Sequence, residues 1–513
     1  MTEPAQQLKL VEVEDAKKDT RKLKQRINDT HTEELVIGLC GPIGTDISFV
    51  SDRLIEILES KYGYQCRRIK LSDLIIRHSN NSLKLEKIKG FERYNNLIDE
   101  GNALREKYDN SVLAELAINE IAVNREELKQ TDTEFESNRI CYIIDSIKNK
   151  EELNLFRLIY RDIFYFFGVY SPTDVRVKIL KDKGLKEEEI YRLIDRDSGE
   201  ETHHGQMVTD TFVNSDFFLR IEDNSPNVID PKIKRFLNLL FNNEIVTPTA
   251  NETAMYLASS AAGNSACLSR QVGACITDEK GEILSIGWND VPKVNGGVYQ
   301  TDMNNVSSDK RCMHKGAGLC FNDKEKEIIR DLLVNSLISR GLVLSARRDE
   351  LDELIKNSRI KELIEFSRAV HAEMLAIISG SQKSGTQMIG GKLFCTTYPC
   401  HNCARHIIAA GIKEVYYIEP YRKSLAIKLH DDALTENESD TTLVRVLMYD
   451  GVSPRRYLDF FKMDGYKRKH NGVKISIPPK EVKPKNTLSL RAIPFLESQV
   501  TQELKNKELI SLT

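Results

Sequence analysis

Short runs of unbroken apolar residues, each leading into a turn and an amphipathic stretch, constrain this chain more than any other feature. Leu35–Leu39 passes through GPIGTD into ISFVSDRLIEIL, and RICYIIDS (139–146) and FYFFGVYS (164–171) follow, with the more polar QCRRIKLS (65–72) expected as a further strand. Strands this apolar belong in a sheet covered on both faces. Their alternation with helical stretches predicts a parallel α/β domain over residues 31–245. The first 30 residues alternate in charge and are expected to form an arm outside that core.

The pattern changes at NNEIVTPTANETAMYLASSAA (242–262), which reads as a domain boundary followed by a helix. QVGACITDEKGEILSIGWND (271–290) then reads as a hairpin turning through Asp278–Gly281. GKLFCTT (391–397), EVYYIE (414–419) and TTLVRVLM (441–448) are further strands, with YPCHNCARHIIAAG (398–411) a helix between the first two. A second α/β domain is expected over 250–485, interrupted by a charged helical segment at about 293–368. Residues 486–513 look like a polar, peripheral tail.

With 74 Lys and Arg against 77 Asp and Glu, the net charge of -3 offers no electrostatic footprint for a polynucleotide. The opening MTEPAQQLKLVEVEDAKKD has no apolar leader, and no run approaches the ~20 apolar residues of a membrane span. No membrane partner is expected. The 10 cysteines are scattered over 513 residues, unlike a disulfide framework. A reducing, cytoplasmic setting follows as an expectation.

Cys400 and Cys403 sit at the start of a helix, after Pro399, where the positive end of the helix dipole favours thiolates. Alone, such a pair suits either a metal or redox chemistry. Upstream, SRAVHAEMLAIISG (367–380) supplies His371 at another helix start. Two thiolates and an imidazole make the three-ligand count of a catalytic zinc site with one position open. Glu373, two residues beyond the histidine, is placed to exchange protons with a water there without ligating the metal. H-x-E followed by P-C-x-x-C is the pattern of zinc nucleobase deaminases.

HAE, TTYPCHNCARHIIAAGI, VYYIEPYRKS and CLSRQVGACI…GWNDVP together resemble the deoxycytidylate deaminase branch of the cytidine deaminase superfamily. That resemblance implies an α-β-α domain, a Zn²⁺ cofactor, contact of Asn289 with deoxyribose and base, and a homo-oligomer. It also implies a second, structural zinc among Cys267, Cys312, His314 and Cys320, although the spacing is no standard finger and unlinked loop residues fit it equally. The segment 293–368 departs from the family pattern. Arg270 and Lys423, the cations nearest the pocket motifs in sequence, are candidates to hold substrate phosphates.

GPIGTDISF (41–49) stands where a Walker A loop, G-x-x-x-x-G-K-[ST], would stand. Aligned on Gly41, the loop has Asp46 for the second glycine, Ile47 for the lysine and Ser48 for the metal-binding hydroxyl. Phosphoryl transfer would lack its main charge stabiliser. The expectation is a P-loop kinase-like domain without kinase chemistry, its loop (Gly41, Gly44, Ser48) still able to offer N–H groups to an anion. Such a domain joined to a deoxycytidylate-type deaminase resembles the bacterial anti-phage dCTP deaminases. The resemblance implies conversion of dCTP to dUTP, and of dCMP to dUMP as a further activity. It also implies an activator or inhibitor (nucleotide, RNA or phage factor) acting at the P-loop domain. The competing readings are a deaminase of single-stranded DNA or RNA, a housekeeping dCMP deaminase with a regulatory P-loop domain, and a non-catalytic nucleotide sensor.

Overall fold

The computed structural model describes Lys22 and residues 31–79, 85, 87–128, 138–198, 207–223, 225–315, 318–421, 424–462, 468–485, 488 and 492–510. Lys22 apart, the N-terminal arm lies outside the described residues, as does Lys423.

In the first sheet β1 (Leu35–Cys40) leads through the glycine loop into α1 (Ile47–Ile57), and β2 (Gln65–Lys70), α2 (Val112–Glu127), β3 (Ile140–Asp145), β4 (Phe164–Tyr170), β5 (Phe217–Arg220) and α3 (Pro226–Phe241) follow. These five strands run parallel in the order β5-β4-β1-β3-β2. The apolar runs are explained by what covers each face. Ile37, Leu39 and Phe167 pack with Leu54 of α1 and Phe236 of α3, while Val36, Ile144 and Phe166 join a cluster with Leu113 and Ala117 of α2. Alternate residues point to opposite faces, so a strand with helices on both sides must be apolar throughout.

The second sheet begins after α4 (Ala250–Ala262), whose start is fixed by a capping box between Thr249 and Glu252. The hairpin β6 (Gly273–Thr277) and β7 (Ile283–Trp288) comes next, then α5 (Phe321–Ser339), α6 (Ala372–Ser384), β8 (Lys392–Thr397), α7 (His401–Ala409), β9 (Glu414–Glu419), β10 (Leu434–Thr435) and β11 (Val444–Met448). The order is β10-β11-β9-β8-β6-β7, with β8, β9, β11 and β10 parallel and β6 antiparallel to both neighbours. A Cβ at Gly287 would lie 2.4 Å from the Ala372 carbonyl oxygen, so only glycine lets the start of α6 approach β7 this closely.

Two expectations are corrected by the C-terminal third. Within the span 486–513, expected to be a peripheral tail, α8 (Ala492–Asn506) packs on α2, with Ile493 and Leu504 fully buried. Glu497 on α8 is buried and accepts hydrogen bonds from Arg125 Nε (3.0 Å), Arg125 Nη2 (3.1 Å) and the Tyr160 hydroxyl (2.9 Å). Nor do the domains meet at a clean boundary, because β12 (Gly451–Val452) adds antiparallel to β5 of the first sheet. Glu252 Oε1 accepts from the Val452 N–H (3.1 Å), tying the start of α4 to that strand. Among the described residues of the inserted segment, the only helical structure before α5 is short 3-10 turns at Val306–Ser308 and Cys312–His314, and a second α-helix follows at Arg348–Lys356.

All ten cysteines are free thiols. Among the described residues no helix is long and apolar enough to cross a membrane.

Candidate active site

Strand β8 ends at Thr397, and the turn Tyr398–Pro399 delivers Cys400 as the N-cap of α7. The Cys400 Sγ accepts the Cys403 N–H (3.4 Å), so the thiolate takes the capping position usually held by a serine or aspartate oxygen. His371 is the N-cap of α6. Two helix starts thus converge: His371 Nδ1 lies 3.2 Å from Cys403 Sγ and 3.4 Å from Cys400 Sγ. One donor atom from each of the three residues falls within 4.8 Å of the others. Tetrahedral zinc with bonds of about 2.3 Å to sulfur and about 2.1 Å to nitrogen requires S···N edges of about 3.6 Å. The spacing and the donor chemistry fit that ion.

The electrostatics favour a thiolate here. The hydrogen bond from Cys403, and then those from His371, hold the Cys400 thiol down to about 4, against its burial. The hydrogen bond with Cys400 lifts His371 to about 9. Glu373, in the first turn of α6, is buried, and loss of solvent pushes its carboxyl up while His371 pulls it back.

These groups open on a cavity of about 900 Å³. Asn289 and Arg270 line it. Asn289 Oδ1 accepts the Val272 N–H (2.8 Å) and its Nδ2 donates to the Arg270 carbonyl (2.8 Å), so this side chain also fixes the rim loop. The exposed Arg270 guanidinium pairs with Glu419. Sequence reasoning missed Met207, Thr209 and Asp210, which come from the first domain to line the same cavity. Their contribution arises from packing between distant segments and leaves no local signal.

Cys267, Cys312 and Cys320 line one small cavity of about 20 Å³. His314 Nε2 turns instead to Asp309 Oδ2, 3.4 Å away. Among the described residues the one close metal-type cluster is His371, Cys400 and Cys403.

The glycine loop borders its own cavity of about 390 Å³, lined by Gly41, Gly44, Ser48 and the β3-terminal Asp145. Gly44 has φ of +87°, and a Cβ there would meet Arg176 Cβ at 2.9 Å. Asp46 caps α1, its Oδ1 accepting the Phe49 N–H (3.2 Å). Asp197, fully buried, accepts the Ile43 N–H (2.6 Å) and pairs with Lys148 Nζ (2.5 Å).

Residues 248–419 match the family described as the cytidine and deoxycytidylate deaminase zinc-binding region. The chain is 48% identical over 56 residues to ComE operon protein 2 of Bacillus subtilis (strain 168), covering 11% of this chain and 29% of that protein. It is 27% identical over 178 residues to the deoxycytidylate deaminase of Enterobacteria phage T2, covering 34% of this chain and 81% of that enzyme. Among solved structures, the dCMP deaminase of cyanophage S-TIM5 in complex with dCMP and dUMP matches at 22% identity and a TM-score of 0.24, over 40% of this chain and 99% of that one. The C-terminal region is therefore a zinc-binding domain of the cytidine and deoxycytidylate deaminase type.

Proposed function

We propose that this protein deaminates free deoxycytidine nucleotides hydrolytically, dCTP ahead of dCMP, and that the glycine-loop domain regulates it. The observation that carries the reading is Glu373: a buried carboxyl, two residues from a zinc ligand, facing a cavity large enough for a nucleotide. His371, Cys400 and Cys403 would hold the ion, which when bound would supply Lewis acidity and so an activated water at neutral pH. Glu373 accepts the proton of that water at its carboxylate. It would pass that proton to the ring nitrogen, then take the second proton from the hydroxyl added to the ring carbon and hand it to the amine, so ammonia leaves as the carbonyl forms. A carboxyl raised by burial both accepts and returns a proton more readily near neutrality than an exposed one. A pure nucleotide sensor has no use for such a group.

The cleft mixes Asp210, Asp323, Glu362 and Glu419 with Arg270, Lys326 and Lys361. That balance favours a small nucleotide over single-stranded DNA or RNA, which calls for a basic groove interleaved with aromatic rings. Preference for the triphosphate, and depletion of dCTP as anti-phage defence under an activator or inhibitor at the glycine loop, rest on the two-domain resemblance. Assembly into a homo-oligomer is supported by the inserted segment, where Leu332 and Leu354 on its helices and Leu342 and Leu344 in the turn between them are exposed. The test is release of ammonia and dUTP from dCTP by zinc-loaded protein, with dCTP pools then compared in infected cells with and without it. No ammonia from any deoxycytidine nucleotide would contradict the activity, and unchanged pools would contradict the defence role.

A further inference from the structure

Between the glycine loop and the catalytic cleft lies a separate cavity of about 370 Å³, formed by both domains. Four residues, Thr209, Tyr398, Pro420 and Tyr421, line both it and the catalytic cleft, and Pro42 lines both it and the glycine-loop cavity. It is therefore a junction between the two sites. Arg176 lines its wall with a side chain only 6% exposed. Arg176 Nε donates to the Ile43 carbonyl (2.7 Å), whereas its Nη2 is buried without any hydrogen-bond partner. A buried guanidinium with a vacant donor is costly unless something supplies the acceptor.

A second feature points the same way. Arg176 lies on the helix Thr173–Asp182, whose first residue also lines the cavity and whose N-terminus has no side-chain cap. The uncapped, positive end of this ten-residue helix thus reaches the cavity at Thr173, beside the vacant guanidinium. The acidic groups on the cavity are already engaged. Both Asp197 oxygens serve Ile43 and Lys148, and Glu436, its carboxyl raised by burial, accepts the Tyr398 hydroxyl (3.1 Å). Rings of Tyr170, Tyr398 and Tyr417 complete the wall.

We infer that this interdomain cavity binds the phosphate end of a nucleotide, with Arg176 as its anchoring cation. The phosphate comes from one of two sources: the polyphosphate tail of a substrate whose base lies at Glu373, or a separate nucleotide. The inference goes beyond the deaminase reading and is tested by binding rather than turnover, so the two can fail independently.

The probe is dUTP, which has no amine to lose, titrated into full-length zinc-loaded protein by calorimetry, with deoxyuridine as the phosphate-free control. Arg176→Gln should weaken dUTP at least ~10-fold and leave deoxyuridine unaffected, and Arg176→Lys should fall between. Displacement of deoxyuridine by dUTP identifies the substrate's tail, and simultaneous binding identifies a separate nucleotide. Absence of dUTP binding to the wild type, or equal affinity in Arg176→Gln, overturns the site. Should the variants fail to fold, hydrogen exchange on the wild type decides: dUTP should slow exchange across 173–182, and unchanged exchange there overturns the proposal.

Discussion

The chain makes the same local structure twice and uses it in opposite ways. At the end of β1 a glycine turn starts α1, and at the end of β8 the Tyr398–Pro399 turn starts α7. Both helix starts present N–H groups to an anion. In the first, the protein's own carboxylates fill that role: Asp46 caps the helix and Asp197 takes the Ile43 N–H. In the second, the cap is the Cys400 sulfur, which retains lone pairs for a metal. One site is closed by oxygen and the other left open by sulfur, and the chemistry assigned to each follows from that difference.

The largest effects belong to the open site. Cys400→Ala removes both cap and ligand, and we expect protein without zinc and without detectable deamination. Metal analysis of the purified variant checks this, and normal zinc stoichiometry would refute the ligand assignment. Glu373→Ala should keep its zinc yet turn over about 10²–10⁴-fold more slowly. A loss below ten-fold, with metal intact, would remove Glu373 from the proton-transfer role.

Substitutions at the glycine loop should leave the zinc site untouched and show first in stability. Asp197→Asn leaves Lys148 without its partner and weakens the contact with Ile43. Denaturant unfolding should show a loss of about 1–3 kcal/mol, with zinc content unchanged. Asp46→Ala removes only a cap and should cost about 1 kcal/mol. Ser48, exposed at the position of a Walker A hydroxyl, is the weakest: Ser48→Ala should change stability by less than about 0.5 kcal/mol. If Ser48→Ala also leaves any nucleotide response of the deaminase intact, the loop is closed in function as well as in structure.

Much of this architecture was legible in the residues because its signals are local. EVYYIE is β9 to the residue, and RICYIIDS contains β3 ending at Asp145. The interior of a buried strand is apolar, so polar residues at or beyond its ends mark its limits. The metal ligands were equally visible, since a helix-start sulfur pair and an H-x-E step are short-range patterns. The C-terminal helix was misread from its polar composition, although Ile493, Leu496, Val500 and Leu504 recur at helical spacing. The two-residue strand β12, the Arg125–Glu497 pair and the place of Arg176 depend on segments hundreds of residues apart or on unpaired atoms. Nothing in a linear pattern encodes them.

The most direct test of the central claim sets dCTP, dCMP, CTP and a cytosine-containing oligonucleotide side by side with one preparation whose zinc content is measured. The account predicts about one zinc per catalytic site, conversion of dCTP ahead of dCMP, and no reaction of the oligonucleotide. Reaction of the oligonucleotide alone, or zinc-loaded protein inert toward all four, would contradict it.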